Sequence, residues 1–94
     1  MICHTVFWKL TEDNKEENIR TMKERLEALV GVVPGLIDAS VGRNYNGGEF
    51  DVALVSHLAS KEALNGYADH PAHVEVKKFV STVAVARQCV DFEL

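Results

Sequence analysis

From Ile2 to Leu10 the side chains alternate. Ile2, His4, Val6, Trp8 and Leu10 fall on one face and Cys3, Thr5, Phe7 and Lys9 on the other, so both faces carry bulk. That period of two belongs to a strand. The period then changes. Ile19, Met22, Leu26, Leu29 and Val33 recur at steps of three and four, the stripe of a helix, with Asp13 and Glu16 spaced as a capping box at its start and Gly31 and Pro34-Gly35 at its end. A period of two returns over residues 36–45, where Ile37, Ala39 and Val41 share a face, and Asn46-Gly47-Gly48 supplies a hairpin turn. A third strand follows over residues 50–58, with Phe50, Val52, Leu54, Ser56 and Leu58 on one side and Asp51, Ala53, Val55 and His57 on the other. Ser60 suits the cap of a short helix anchored by Ala63, Leu64 and Tyr67. Pro71 suits the first turn of another, whose stripe is Val76, Val80 and Val83, and residues 85–92 close the chain as a fourth strand.

The order β-α-β-β-α-β, with the second helical segment broken around Asp69-His70-Pro71, predicts one α+β domain over residues 1–94 of the ferredoxin-like kind. Its four-stranded antiparallel sheet carries both helical segments on one face. The other face, bearing Cys3, Phe7, Ala53 and Val55, is too apolar for open water, and no elements remain to cover it. A second copy of the chain is the simplest cover, which predicts a two-fold homodimer packed sheet on sheet, with His57 at the interface. Ninety-four residues bury only a modest share of their surface alone, so such help also suits a chain of this length.

Charge excludes one class of partner. With a net charge of −4 and Lys77-Lys78 as its one adjacent basic pair, the chain lacks the clustered cations that nucleic-acid phosphates require. The first residues lack a charged n-region, a long apolar run and a small-residue cleavage site, so neither a signal peptide nor a membrane span is expected, and cytoplasmic residence is the default. Cys3 and Cys89, near opposite ends and without metal-type spacing, read as free thiols.

Proton-transferring side chains concentrate in one stretch, "YADHPAH" at residues 67–73. Tyr67, His70 and His73 step by three and share a face wherever the helix is continuous, and His4 on the Val6-Trp8 face of the first strand approaches the same space from the sheet. A pocket between sheet and helices lined by Val6, Trp8, Met22, Leu26, Leu54 and Val76, with a phenol and imidazoles at one end, has the makeup of a small-molecule site. His73 is a candidate base near neutral pH and Tyr67 a candidate donor. Both histidines also have structural uses, His73 as a ring bonded to a backbone carbonyl and His70 as a helix-start residue. The i, i+3 histidine pair has no evident carboxylate to complete a metal site, so no metal and no cofactor is expected. No Gly-rich phosphate loop, nucleophile elbow or HExxH motif occurs.

The opening Cys3-His4-Thr5-Val6, "VPGL" at 33–36, "VGRN" at 41–44, "DVALV" at 51–55, "YADHPAH" at 67–73 and "VDF" at 90–92 together resemble the stress-responsive alpha/beta barrel (Dabb) domain family over essentially the whole chain. The resemblance implies a ferredoxin-like subunit that dimerises through its sheets into a barrel. It also implies two functional classes: stress- and defence-associated proteins without an assigned reaction, and polyketide cyclases that close a linear tetraketide into an aromatic acid by aldol condensation. A non-catalytic stress or small-molecule-binding dimer accounts for the same residues as ligand contacts. In the cyclase branch the motif's tyrosine and last histidine form the catalytic pair, which map onto Tyr67 and His73, with His70 and His4 matching further pocket histidines. The chain departs from that branch at Met22 and Leu26, where cyclases carry aromatic residues, and at Lys77 and Ala84 in place of residues suited to a long acyl tail.

Overall fold

In the computed structural model, which describes residues 1–94, strand β1 spans Ile2–Leu10, helix α1 Lys15–Glu27, β2 Leu36–Arg43, β3 Val52–Leu58, α2 Lys61–Asp69, α3 Pro71–Val83 and β4 Ala84–Glu93. The strands form one sheet in the order β2-β3-β1-β4, each antiparallel to its neighbours. This is the predicted ferredoxin-like α+β arrangement, with the second helical segment divided into α2 and α3. Strand β1 lies inside the sheet because both its faces are apolar. Its even residues Ile2, Val6, Trp8 and Leu10 join Leu54, Leu58, Met22, Leu26, Val76 and Val80 in a continuous core between sheet and helices. Met22 has no exposed surface. Each such aliphatic side chain contributes about 1.5–3 kcal/mol by leaving water, and this layer therefore holds the helices on the sheet. No helix is long and apolar enough to cross a membrane.

Four local expectations give way. The capping box does not form: Asn14, in left-handed conformation at φ 53°, precedes α1 without a side-chain cap, while Glu16 is held by the Arg43 guanidinium on β2, with Nε 2.8 and 2.9 Å from its two carboxylate oxygens. The helix also ends at Glu27, so Leu29 and Val33 reach the core from the following turns. In β2 a bulge falls between Leu36 and Asp38, so Ile37 is turned out and Leu36 takes its place on the inner face with Ala39 and Val41. Finally, Phe50 leaves the Val52-Leu54 face; it precedes β3, and its ring lies 6.2 Å from that of Phe7 on the open side of the sheet.

The joints that position the helices are short and specific. Gly35 adopts φ +82°, and a Cβ there would stand 2.6 Å from Cβ of Ala63, so only glycine lets β2 start this close to α2. Ser60 caps α2 by accepting the Ala63 N–H at 3.1 Å. His70 ends α2 and starts α3: its N–H donates to the Tyr67 carbonyl at 3.3 Å and its Nδ1 accepts the Ala72 N–H at 3.1 Å, with Pro71 in the first turn. At the edge of the sheet, Glu27 accepts the Val41 N–H at 2.9 Å and Lys23 donates to the Val41 carbonyl at 3.0 Å, so an ion-paired i, i+4 couple on α1 occupies both outward backbone groups of this β2 residue.

Opposite the helices the sheet is open. Phe7 and Val55 are 43% and 40% exposed, Val90 and Phe92 of β4 stand beside them, and His57 Nδ1 donates to the Asp38 carboxylate at 2.7 Å on the same side.

Candidate functional site

Between β1, β4, α1 and α3 lies a cavity of about 290 Å³. Its walls are Val6, Trp8, Leu26, Leu54, Val76, Val80 and Ala84, and its polar groups are His4, His73, Lys77, Ser81 and Arg87. The alternation of β1 sends His4, Val6 and Trp8 to the helix side together, and α3 brings His73 and Val76 over them at helical spacing. Of the residues expected in the pocket, His4, Val6, Trp8, Leu26, Leu54, His73 and Val76 line this cavity.

The remaining three stand elsewhere. Met22 lies wholly inside the core rather than in the wall. His70 is the correction of most consequence: the break between α2 and α3 turns it toward a separate cleft with Pro34, Gly35 and Glu62, and its Nδ1 is already used as the α3 cap. Tyr67 is buried behind the cavity, where its ring stacks on His73, centroids 4.0 Å apart and planes inclined by 20°. The ring of His4 meets Tyr67 edge-on, with centroids 6.0 Å apart. The phenol ring thus joins the two imidazoles.

The protonation of His73 follows from its partner. Nδ1 lies 2.9 Å from the Tyr67 carbonyl oxygen, which can only accept, so Nδ1 carries the hydrogen and Nε2 carries the lone pair. Burial, aided by nearby Lys77 and His4, pushes the His73 pKa down to about 4, and the ring is neutral at pH 7. Burial likewise pushes the Tyr67 phenol up to about 12, keeping it protonated and able to donate.

Across from His4 in the β1–β4 register stands Asp91, whose Oδ1 is 2.5 Å from His4 Nδ1. The carboxylate fixes the ring and leaves Nε2 as its other nitrogen. Two residues back on the same face, the Cys89 thiol lies 3.8 Å from His4 Nδ1. Neither Asp91 nor Cys89 was marked as functional by the sequence, because their place beside His4 depends on a strand register set across nearly the whole chain. The signal present was the alternation of Arg87, Cys89 and Asp91 on one face of the last strand.

Fold and cavity define a class: a four-stranded antiparallel sheet roofed on one side, with an imidazole-lined pocket under the roof and an apolar face left open. The family model for the stress responsive A/B barrel domain (Dabb) matches residues 2–94, and the chain belongs to that family. Among solved structures, it resembles a dimeric protein of ferredoxin-like fold and unknown function from Bacteroides fragilis, with 32% identity, a TM-score of 0.92, and coverage of 99% of this chain and 95% of that one. A Dabb family protein from Mesorhizobium loti shares the fold at 18% identity and a TM-score of 0.81, covering 99% of this chain and 95% of that one. The hydroxynitrile lyase of Passiflora edulis does so at 14% identity and 0.86, covering 99% and 92%. No curated protein matches the chain at a significant level.

Proposed function

We propose that the protein is a homodimer whose cavity binds a small, mostly apolar carbonyl compound and carries out cofactor-independent acid–base chemistry on it, of cyclase, isomerase or lyase type, on a polyketide-like or β-dicarbonyl substrate. The observation that supports this most is the fixed tautomer of His73: a neutral imidazole in an apolar wall, its Nδ1–H held by the Tyr67 carbonyl, has only Nε2 left to take a proton. In the proposed step Nε2 removes a proton from the carbon next to the carbonyl, and the C–H electron pair moves into the enolate. A hydrogen bond from the Tyr67 hydroxyl stabilises the developing oxyanion, and His4, oriented by Asp91, helps position the ligand. The apolar walls exclude water and strengthen these interactions. Homodimerisation draws support from the open apolar sheet face and from the dimeric Bacteroides fragilis relative.

A second reading has its own supporting observation. A base whose pKa is near 4 is weak at pH 7, and the stacked Tyr67–His73 pair equally suits a shape-selective wall of a non-catalytic binding protein in a stress response. Two variants separate the readings across a panel of β-dicarbonyl and linear polyketide-like compounds. His73→Gln and Tyr67→Phe keep most of the shape, and on the enzymatic reading each lowers kcat by about a hundredfold or more while affinity changes little. Binding without turnover in the unmodified protein establishes the binding module instead, and turnover that survives both substitutions removes His73 and Tyr67 from the chemistry.

A further inference from the structure

The histidines of the helical motif lack a carboxylate partner, but β4 supplies one to the histidine of β1. His4 faces Asp91 directly across the β1–β4 pair, and Cys89 sits two residues earlier on the same side of β4. Two residues at i and i+2 on one strand, with a third opposite on the next, are how a sheet can aim three side chains at one point. The three ligand atoms, an imidazole nitrogen, a thiol sulfur and a carboxylate oxygen, all lie within 4.8 Å of one another. We propose that His4, Cys89 and Asp91 form a binding site for a single divalent transition-metal ion of the zinc type, with its fourth position open to water or a ligand.

The spacing already approaches what such an ion needs. Bond lengths of about 2.0–2.3 Å at tetrahedral angles place the ligand atoms roughly 3.4–3.6 Å apart. Cys89 Sγ lies 3.8 Å from His4 Nδ1 and 3.7 Å from Asp91 Oδ1. Only the His4–Asp91 separation, 2.5 Å as a hydrogen bond, must open, and Asp91 is exposed enough to move. The mixed N, S, O set favours zinc, copper or cobalt over magnesium or calcium, which take oxygen ligands. The protons balance simply: the Cys89 thiol loses its proton to solvent, His4 exchanges its Nδ1 hydrogen for one on Nε2, and Asp91 binds as the carboxylate, so one proton is released per ion. Because binding releases a proton, affinity rises with pH. Cys3 cannot substitute, because it lies on the opposite face of β1.

The inference stands apart from the proposed reaction, since its readout is the metal itself. Cobalt(II) added to the metal-free full-length chain is expected to bind one ion per chain and to give a thiolate-to-cobalt charge-transfer band in the near ultraviolet. Cys89→Ser should abolish the band and weaken zinc binding in calorimetry by at least about tenfold, and Asp91→Asn should weaken it by about the same factor. Cys3→Ser should leave both unchanged. Should Cys89→Ser fail to fold, the unmodified protein decides: zinc is expected to slow alkylation of Cys89 by iodoacetamide. No cobalt band, a band that survives Cys89→Ser, zinc binding indifferent to Asp91→Asn, or alkylation of Cys89 unaffected by zinc would each overturn the site.

Discussion

At the scale of single residues, His73 shows how one hydrogen bond decides a chemical role. Its ring is half-buried and tied to a carbonyl, so it resists protonation until pH falls to about 4, whereas in the unfolded chain it titrates near 6.5. The sign follows. Above pH 6.5 the ring is neutral in both states and its contribution to stability is fully present; as pH falls from 6.5 through about 4 the unfolded chain takes up the proton first, and that stability is lost. Melting temperatures measured from pH 7 to pH 4 should therefore fall less steeply for His73→Gln than for the unmodified protein. A His73 titration near 6.5, followed by NMR, would contradict the buried geometry. If His73 is the base, the acid limb of kcat/KM should also lie near 4 instead of 6.5. His4 has a carboxylate as its partner, and that carboxylate was the part of the site the sequence did not reveal. The pairing of residues 4 and 91 passes through a β1–β4 register that shifts between Lys9 and Leu10, which no local pattern records. The pocket walls, in contrast, were readable, since alternation along β1 and β3 alone assigns Val6, Trp8 and Leu54 to the side of His4.

At the scale of elements, what is periodic was legible and what depends on a single long-range contact was not. The strand and helix periods foretold the order of elements and the break before Pro71. They did not foretell the Ile37 bulge, which lets both Leu36 and Ala39 face inward, nor the diversion of Glu16 to Arg43 that leaves α1 uncapped. The structural uses of both motif histidines proved real: His70 caps α3 and His73 bonds a carbonyl. His70→Ala should cost about 1 kcal/mol, as the loss of a helix cap does, with His70→Asn restoring most of it. Ligand affinity in the cavity should be unchanged by either; a large loss would return His70 to the pocket. Gly35→Ala should be worse. A methyl group 2.6 Å from Cβ of Ala63, on a backbone at φ +82°, must push α2 from β2 at a cost of about 1–3 kcal/mol, read as a lowered melting temperature. An unchanged melting temperature would mean that α2 is not seated as described.

At the scale of the whole molecule, the open sheet face is the surface that the proposed homodimer would bury. Phe7, Phe50, Val55, Val90 and Phe92 share one side that nothing in the chain covers. Light scattering at micromolar concentration is expected to give the mass of two 10.4 kDa chains. Val55→Asp would bury a carboxylate in that contact and cost about 3–5 kcal/mol, leaving a monomer or an unfolded chain. Persistence of the dimer would place the contact on another surface.

The Lys23–Glu27 couple on α1 bears on a different hazard. By taking up both the N–H and the C=O that Val41 turns outward, it stands where a fifth strand would dock. Fibrils of the cross-β type lengthen strand by strand, and each subunit in such a stack needs two receptive borders, one to attach by and one to offer. Here one border is already terminated by side chains, as a capped monomer stops a polymer. Strand-by-strand growth from the β2 border of the native fold is therefore obstructed at Val41.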